Sequence, residues 1–302
     1  MKKYPQKALG WTLAATLPLI VASCGGSDSS TVSDPNLVQT AQGQAKGVAV
    51  NGVHAYLGLP YAAPPVGALR WKAPVAAAAY SGVRDASHAG SECVQGSPAA
   101  TAGSEDCLYM NIYVPGPTTV TTPLPVLFWI HGGGFINGSG IGTDGSALAV
   151  KANAIVVTFN YRLNALGFLA HPALAAEDPN GAAGNYGIMD QAAALTWVQK
   201  NIAAFGGDPK NVTIFGDSAG GHSVYVQLAS PGSAGLFAKA VAAVDSDAHR
   251  QSGNAVGCDD GGAVVVCSLR QSEYREHRCE LAGVYLCNAS GSRFWLSCFE
   301  HI

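Results

Sequence analysis

Residues 212–221 read Val-Thr-Ile-Phe-Gly-Asp-Ser-Ala-Gly-Gly, four strand-forming residues running into Gly-x-Ser-x-Gly, with Val224, Val226 and Leu228 as a helix-compatible apolar run beyond. A strand that turns sharply about one serine into a helix is a nucleophile elbow. Gly216 and Gly220 leave space where a side chain would clash with the neighbouring strand and helix. The turn lifts the Ser218 hydroxyl above the sheet. The Ala219 N–H, at the helix N-terminus, is then placed to meet a developing oxyanion. The chemistry is nucleophilic attack with stabilisation of the negative charge that builds up.

A second motif lies upstream. The apolar run 125–130 suits a central strand buried on both faces, and it opens into His131-Gly132-Gly133-Gly134-Phe135. Three glycines after a buried strand let backbone N–H groups face a ligand, as in an oxyanion-hole loop. His131 precedes the nucleophile, whereas a base in this arrangement follows it, so His131 is read as structural.

Other elements must position these two motifs. Residues 154–159 read as another buried strand. From Gly187 the pattern turns helical, with Ile188, Ala192, Leu195, Val198, Ile202 and Phe205 as one apolar stripe. Gly206-Gly207 ends that helix and Asp208-Pro209 turns into the elbow strand. Residues 236–241 read as a further apolar helix. Strand alternating with helix predicts an α/β fold, a mostly parallel central sheet with helices on both faces. Nearer the start, residues 48–56 form a hairpin with Asn51-Gly52 as a type I′ turn. Residues 61–67 are a proline-stiffened loop, and Leu108, Met110 and Ile112 alternate as in a half-buried strand. His54 and His88 stand alone and are read as structural.

The chain has 302 residues, 48% hydrophobic and 12% charged, with a formal net charge of −3. That balance excludes a basic nucleic-acid footprint and suits one globular domain with a sizeable core. Lys2, Lys3 and Lys7 precede an apolar run from Ala8 to Ala22, shorter than the roughly 20 residues that span a bilayer. Residues 1–24 are thus an export signal. Its end, Val21-Ala22-Ser23-Cys24, resembles the lipobox of bacterial lipoproteins, and residues 25–35 read as a flexible tether. The expected location is the cell envelope, through a lipid on Cys24, or secretion. In an exported protein Cys93 and Cys107 predict a disulfide, worth about 3 kcal/mol in the chain-entropy model. A metal site would need further ligands, and none lie nearby in sequence.

The sequence resembles the type-B carboxylesterase family. The similarity rests on 205–207 with 212–220, on Glu105-Asp106-Cys107-Leu108-Tyr109, on 56–62 and on Gly184-Asn185-Tyr186-Gly187. It covers roughly residues 36–244. The resemblance implies an α/β-hydrolase fold and hydrolysis of a small-molecule ester through an acyl-enzyme, with no cofactor and no metal. It implies Ser218 as nucleophile, the N–H groups of Gly133, Gly134 and Ala219 as oxyanion hole, Cys93–Cys107 as the family's first disulfide and Glu105 with Arg162 as a structural salt bridge. Ser223 would be a supporting hydroxyl. Oligomeric state is not indicated.

Composition changes at Val244. Up to that point there are 9 Lys, 3 Arg, 3 Cys and 16 Pro, whereas the 58 residues from Asp245 hold no Lys, 5 Arg, 5 Cys and no Pro. The break is read as a frameshift or truncation, with 245–302 as an atypical tail, frameshifted or disordered. The triad acid and histidine belong to later strands. The tail's Asp259, Asp260, His249, His277 and His301 sit in no glycine-flanked loop after a convincing strand. The expectation is therefore impaired ester hydrolysis, with a non-catalytic binding or adhesion module, or a structural surface lipoprotein, as alternatives. For the anchor, metabolic labelling with palmitate is expected in the full chain and absent in Cys24→Ala. Label that persists in the variant removes the lipid at this cysteine.

Overall fold

A computed structural model describes residues 34–97, 99–116, 122–244, 263–268, 280–287 and 293–296. Its main sheet is built, in chain order, from β1 (Val48–Val50), β2 (Val53–Pro60), β3 (Tyr109–Pro115), β4 (Leu124–Ile130), β5 (Ile155–Phe159), β6 (Gly207–Asp217), β7 (Lys239–Val244), β8 (Ala263–Ser268), β9 (Glu280–Cys287) and β10 (Arg293–Leu296). In space they run β1-β2-β3-β5-β4-β6-β7-β8-β9-β10. Two short sheets, Leu37–Gln39 with Gln44–Lys46 and Val83–Asp85, and Gln95–Ser97 with Ala100–Ala102, lie apart from it.

The parallel character expected from the sequence is confined to the centre, β5-β4-β6-β7. Helices lie between successive strands there: α1 (Ser146–Ala152) between β4 and β5, then α2 (Asn164–Phe168), α3 (Pro172–Ala175) and α4 (Tyr186–Asn201) before β6, and α5 (Ala219–Ala229) before β7. Returning to the same edge takes a crossover, and these helices supply it. Both flanks are antiparallel, β1-β2-β3 against β5 on one side and β8-β9-β10 beyond β7 on the other. Asn51 (φ 50°) and Gly52 (φ 76°) both take positive φ at the β1–β2 turn, as type I′ requires.

Two sequence expectations change. Residues 239–244 form strand, not helix. Their parallel register with β6 (Thr213 opposite Lys239, Asp217 opposite Ala243) decides an apolar run too short for periodicity to settle. β4 alternates instead of burying both faces: Val126, Phe128 and Ile130 are buried, Pro125, Leu127 and Trp129 half-buried. β5 is buried throughout. Beyond Val244, three tail segments hydrogen-bond onto the sheet, starting with Val244 opposite Ala263. Cys267 and Cys287 lie on β8 and β9, whereas Cys24, Cys258, Cys279, Cys298, His249, Asp259, Asp260, His277 and His301 lie outside the described residues.

α4 also differs in what it buries. Leu195 and Val198 of the expected stripe are buried, but Ile188 and Ala192 are only half-buried, and Asp190, Gln191 and Asn201 are buried in their place. Each has a partner. Arg162 Nε and Nη2 donate to the Asp190 carboxylate at 2.8 and 2.7 Å, Gln191 Nε2 donates to Ser223 Oγ at 2.9 Å, and Asn201 Oδ1 accepts the Ala41 N–H. Burial pushes the Asp190 carboxyl up even with Arg162 beside it. A buried pair like this contributes little by itself, but removing one member strands the other charge. Asp190→Ala is expected to lower the unfolding free energy by about 3–5 kcal/mol in a urea titration. A loss below about 1 kcal/mol would mean that Arg162 finds water.

Candidate active site

Two connections leaving the parallel centre meet here. β6 ends at Asp217 and α5 begins at Ala219, so Ser218 alone makes the turn. Its backbone sits at φ 52°, ψ −124°, a conformation that costs a non-glycine residue about 1–3 kcal/mol. The surroundings enforce it. The Ser218 N–H donates to Ala243 O on β7 at 2.8 Å, and its carbonyl accepts the His222 N–H at 3.0 Å. A Cβ on Gly220 would lie 2.1 Å from Ile130 O, and one on Gly216 would lie 2.6 Å from the Gly220 carbonyl. Side chains are therefore impossible at the two positions where strand, helix and neighbouring strand converge. Ser218 is exposed while Ala219, Gly220 and Gly221 are buried. The first helical N–H groups have no intrahelical acceptor.

The glycine loop starts directly after Ile130, on the adjacent strand. A Cβ on Gly132 would stand 3.2 Å from Ser218 Cβ and 2.8 Å from Asp217 O, so the loop lies against the elbow. Gly133 (φ 106°) and Gly134 (φ 62°) take positive φ. The Ile136 and Asn137 N–H groups close the turn onto Gly133 O, each at 3.0 Å. Among the described residues, the N–H groups of Gly133 and Gly134 donate to no protein acceptor.

His131 is buried beneath this loop. Its Nδ1 lies 2.8 Å from Gly132 O, so that nitrogen carries the proton and the buried, unpartnered Nε2 is bare. The ring stacks on Tyr161 at 4.3 Å, whose hydroxyl donates to His131 O at 2.8 Å. Burial pushes the imidazole down to about 4, against smaller upward pulls from the Gly132 carbonyl and the Asp217 carboxylate. A buried, neutral ring whose Nδ1 is engaged by Gly132 O and whose face lies on Tyr161 supports the loop, and no hydrogen bond joins it to Ser218 Oγ. His222, one helical turn past Ser218, places Nδ1 3.1 Å from the Ser218 backbone carbonyl, not the hydroxyl.

Cys93 and Cys107 are disulfide-bonded, with Cα atoms 4.9 Å apart. The ion pair expected between Glu105 and Arg162 is absent. Glu105 accepts two bonds from Arg70 at 2.6 Å, and Arg162 is taken by Asp190. Both pairings follow from the fold, because Arg162 follows β5 and points at α4, whereas Arg70 comes from a separate loop. Ser223 is fully buried in a chain with Gln191, Gln227 and Ser233. Val226 faces outward, so α5 buries Val224 alone of the two valines.

Sequence reasoning missed Asn160, buried at the end of β5. Its Oδ1 accepts the Gly140 N–H at 3.0 Å, and its Nδ2 donates to Ser91 O and Cys107 O at 2.9 and 3.2 Å. An amide side chain straight after a strand buried throughout is the signal that could have found it. Among the described residues no three His, Cys, Asp or Glu side chains converge as metal ligands.

The model of the carboxylesterase family matches residues 34–277. The chain is 46% identical over 244 residues to fumonisin B1 esterase of Sphingopyxis macrogoltabida, covering 78% of this chain and 43% of that protein. It is 48% identical over 223 residues to para-nitrobenzyl esterase of Bacillus subtilis (strain 168), covering 71% and 44%. Solved structures of a PNB esterase (48% identity, TM-score 0.63, 68% of this chain and 43% of that one) and of a Geobacillus stearothermophilus carboxylesterase (47%, 0.63, 68% and 42%) align with it. The chain thus spans about two-fifths of the length of the relatives it matches.

The buried His131 makes stability depend on pH. Its folded value, about 4, lies below the ordinary 6.5, so between those limits the unfolded chain binds the extra proton and acidification favours unfolding. His131→Phe keeps a ring against Tyr161 and removes the titration. The fall in unfolding free energy from pH 7 to pH 4, read by urea titration, is expected to shrink in the variant by on the order of 3 kcal/mol.

Proposed function

Because this chain belongs to the carboxylesterase family and carries its α/β-hydrolase fold, we propose that it hydrolyses a small-molecule carboxylic ester through a serine acyl-enzyme. Ser218 Oγ attacks the ester carbonyl carbon, and the carbonyl oxygen becomes an oxyanion. The intermediate collapses, the alcohol leaves with the proton that the serine hydroxyl gave up, and water then splits the acyl ester, its hydroxyl going to the acid and its proton back to the serine. The N–H groups of Gly133, Gly134 and Ala219 receive the oxyanion. Each such donor typically contributes about 3 kcal/mol of transition-state stabilisation. One observation carries this reading: an exposed serine in a strained turn lies against a glycine loop with two unclaimed N–H groups. A protein that only bound a partner has no use for either feature.

The base is the finer point. Among the described residues no histidine or carboxylate hydrogen-bonds to Ser218 Oγ, and the neutral His131 is engaged by Gly132 O. With no base on that hydroxyl among the described residues, the reading carries impaired turnover with it. Losing the histidine of a comparable triad costs about a millionfold in a serine protease. The esters cleaved by the two bacterial relatives, as their names state them, point to a small ester as substrate. Export and a lipid on Cys24 would put the reaction at the cell envelope.

A fluorophosphonate probe tests this directly, because a single stoichiometric phosphonylation reports a nucleophilic serine beside an oxyanion site even where turnover is slow. Covalent label is expected on the wild-type chain and absent from Ser218→Ala. A folded wild-type chain that takes up none at all would favour the binding-module alternative.

A further inference from the structure

The segment closed by the Cys93–Cys107 disulfide reaches the turn that follows the glycine loop through Gln95. Gln95, half-buried two residues after Cys93, turns its side-chain amide onto the backbone of Gly138. Its Oε1 accepts the Gly138 N–H at 2.9 Å and its Nε2 donates to Gly138 O at 3.2 Å. A two-bond grip of this kind imitates a neighbouring strand and fixes both position and tilt of the peptide it holds. The amide is held from behind as well, since Nε2 also lies 3.3 Å from Cys93 O and 3.3 Å from Glu92 Oε2. A second tie runs beside it, from Asn164 Nδ2 to Ile136 O at 2.7 Å and to Val94 O at 3.4 Å.

Gly138 in turn is pressed against the start of the loop. It sits at φ 112°, and a Cβ there would lie 2.5 Å from Gly132 O and 2.5 Å from His131 Nδ1. Gly132 O is the same carbonyl that His131 Nδ1 donates to. Because the carbonyl of Gly132 and the N–H of Gly133 share one planar peptide, whatever fixes the first aims the second. Contact therefore runs without a gap from the disulfide through Gln95 and Gly138 to the Gly132–Gly133 peptide.

We propose that Gln95 is a positioning residue, which uses the disulfide-closed segment as an anchor to set the direction of the Gly133 N–H. It touches neither substrate nor Ser218. Pre-setting a donor removes the reorganisation needed when charge develops. This inference rests on the acyl-enzyme reading for its catalytic consequence, but its structural part stands apart from it.

The test compares wild type with Gln95→Leu, which keeps the size and removes both bonds. The fluorophosphonate labelling rate kinact is expected to fall about tenfold, the worth of roughly one net hydrogen bond, with the apparent binding constant of the probe unchanged. Amide hydrogen exchange at Gly133 and Gly134 is expected to speed up. Gln95→Met, which likewise keeps the length and removes both bonds, should show the same fall and serves alone if Gln95→Leu does not fold. Faster exchange at Gly138 with labelling and Gly133 exchange at wild-type values would overturn the proposal. If wild type takes no label, the acyl-enzyme reading fails, and Gly133 and Gly134 exchange decides the positioning claim by itself.

Discussion

The carbonyl of Ile130 is pinched between two glycines, and the rest of the site follows from that contact. At Gly220 and Gly216 an added Cβ would approach Ile130 O to 2.1 and 2.7 Å, so β4, β6 and α5 meet at a separation only bare backbone allows. Ser218 is left to span the gap between Asp217 and Ala219 and takes a strained conformation to do so. Pairing of β6 with β7 and burial of the first turn of α5 hold it there. The glycine loop leaves the same pinch point, one residue after Ile130. Both halves of the proposed oxyanion site are thus hung from one atom of the core, which explains how loop and helix keep register with each other.

A polar layer beneath α4 and α5 fixes the helices that carry this geometry. Arg162 with Asp190, Gln191 with Ser223, and Gln227 with Ser233 are buried and hydrogen-bonded to one another, although Arg162 Nη1 has no partner. Apolar residues alone would let α4 rotate by a fraction of a turn at little cost. Directional bonds in a low-dielectric interior do not tolerate that slip. The same reasoning applies to His131 and Tyr161, whose stacking and hydrogen bond clamp the first peptide of the loop from below.

Much of this was legible in the chain. The elbow, the glycine loop and the Asn51-Gly52 turn were readable because each is specified by conformational limits on adjacent residues: φ of either sign at glycine, a hydroxyl between two glycines, an apolar run before a loop. What failed had a different character. The apolar run 236–241 had no periodicity to tell helix from strand, and only the edge of β6 decided it. The stripe begun on α4 held at Leu195, Val198, Ile202 and Phe205 but not at Ile188 and Ala192, because the buried partners Arg162 and Ser223 draw Asp190 and Gln191 inward.

The sequence by itself determined the chemical vocabulary of the site and the local shapes of Ser218 and residues 132–134, since those depend on bond rotation and steric exclusion within a few residues. Tertiary structure alone decided which charges pair, which face of each helix is buried, and where the sheet turns antiparallel. Glu105 could pair with any arginine of suitable reach until the fold brought Arg70 to it and gave Arg162 to Asp190. Gln95 is an ordinary polar residue until residues 43 positions apart come within 2.9 Å. Such contacts depend on the sum of all packing at once, and no short stretch of chain encodes them.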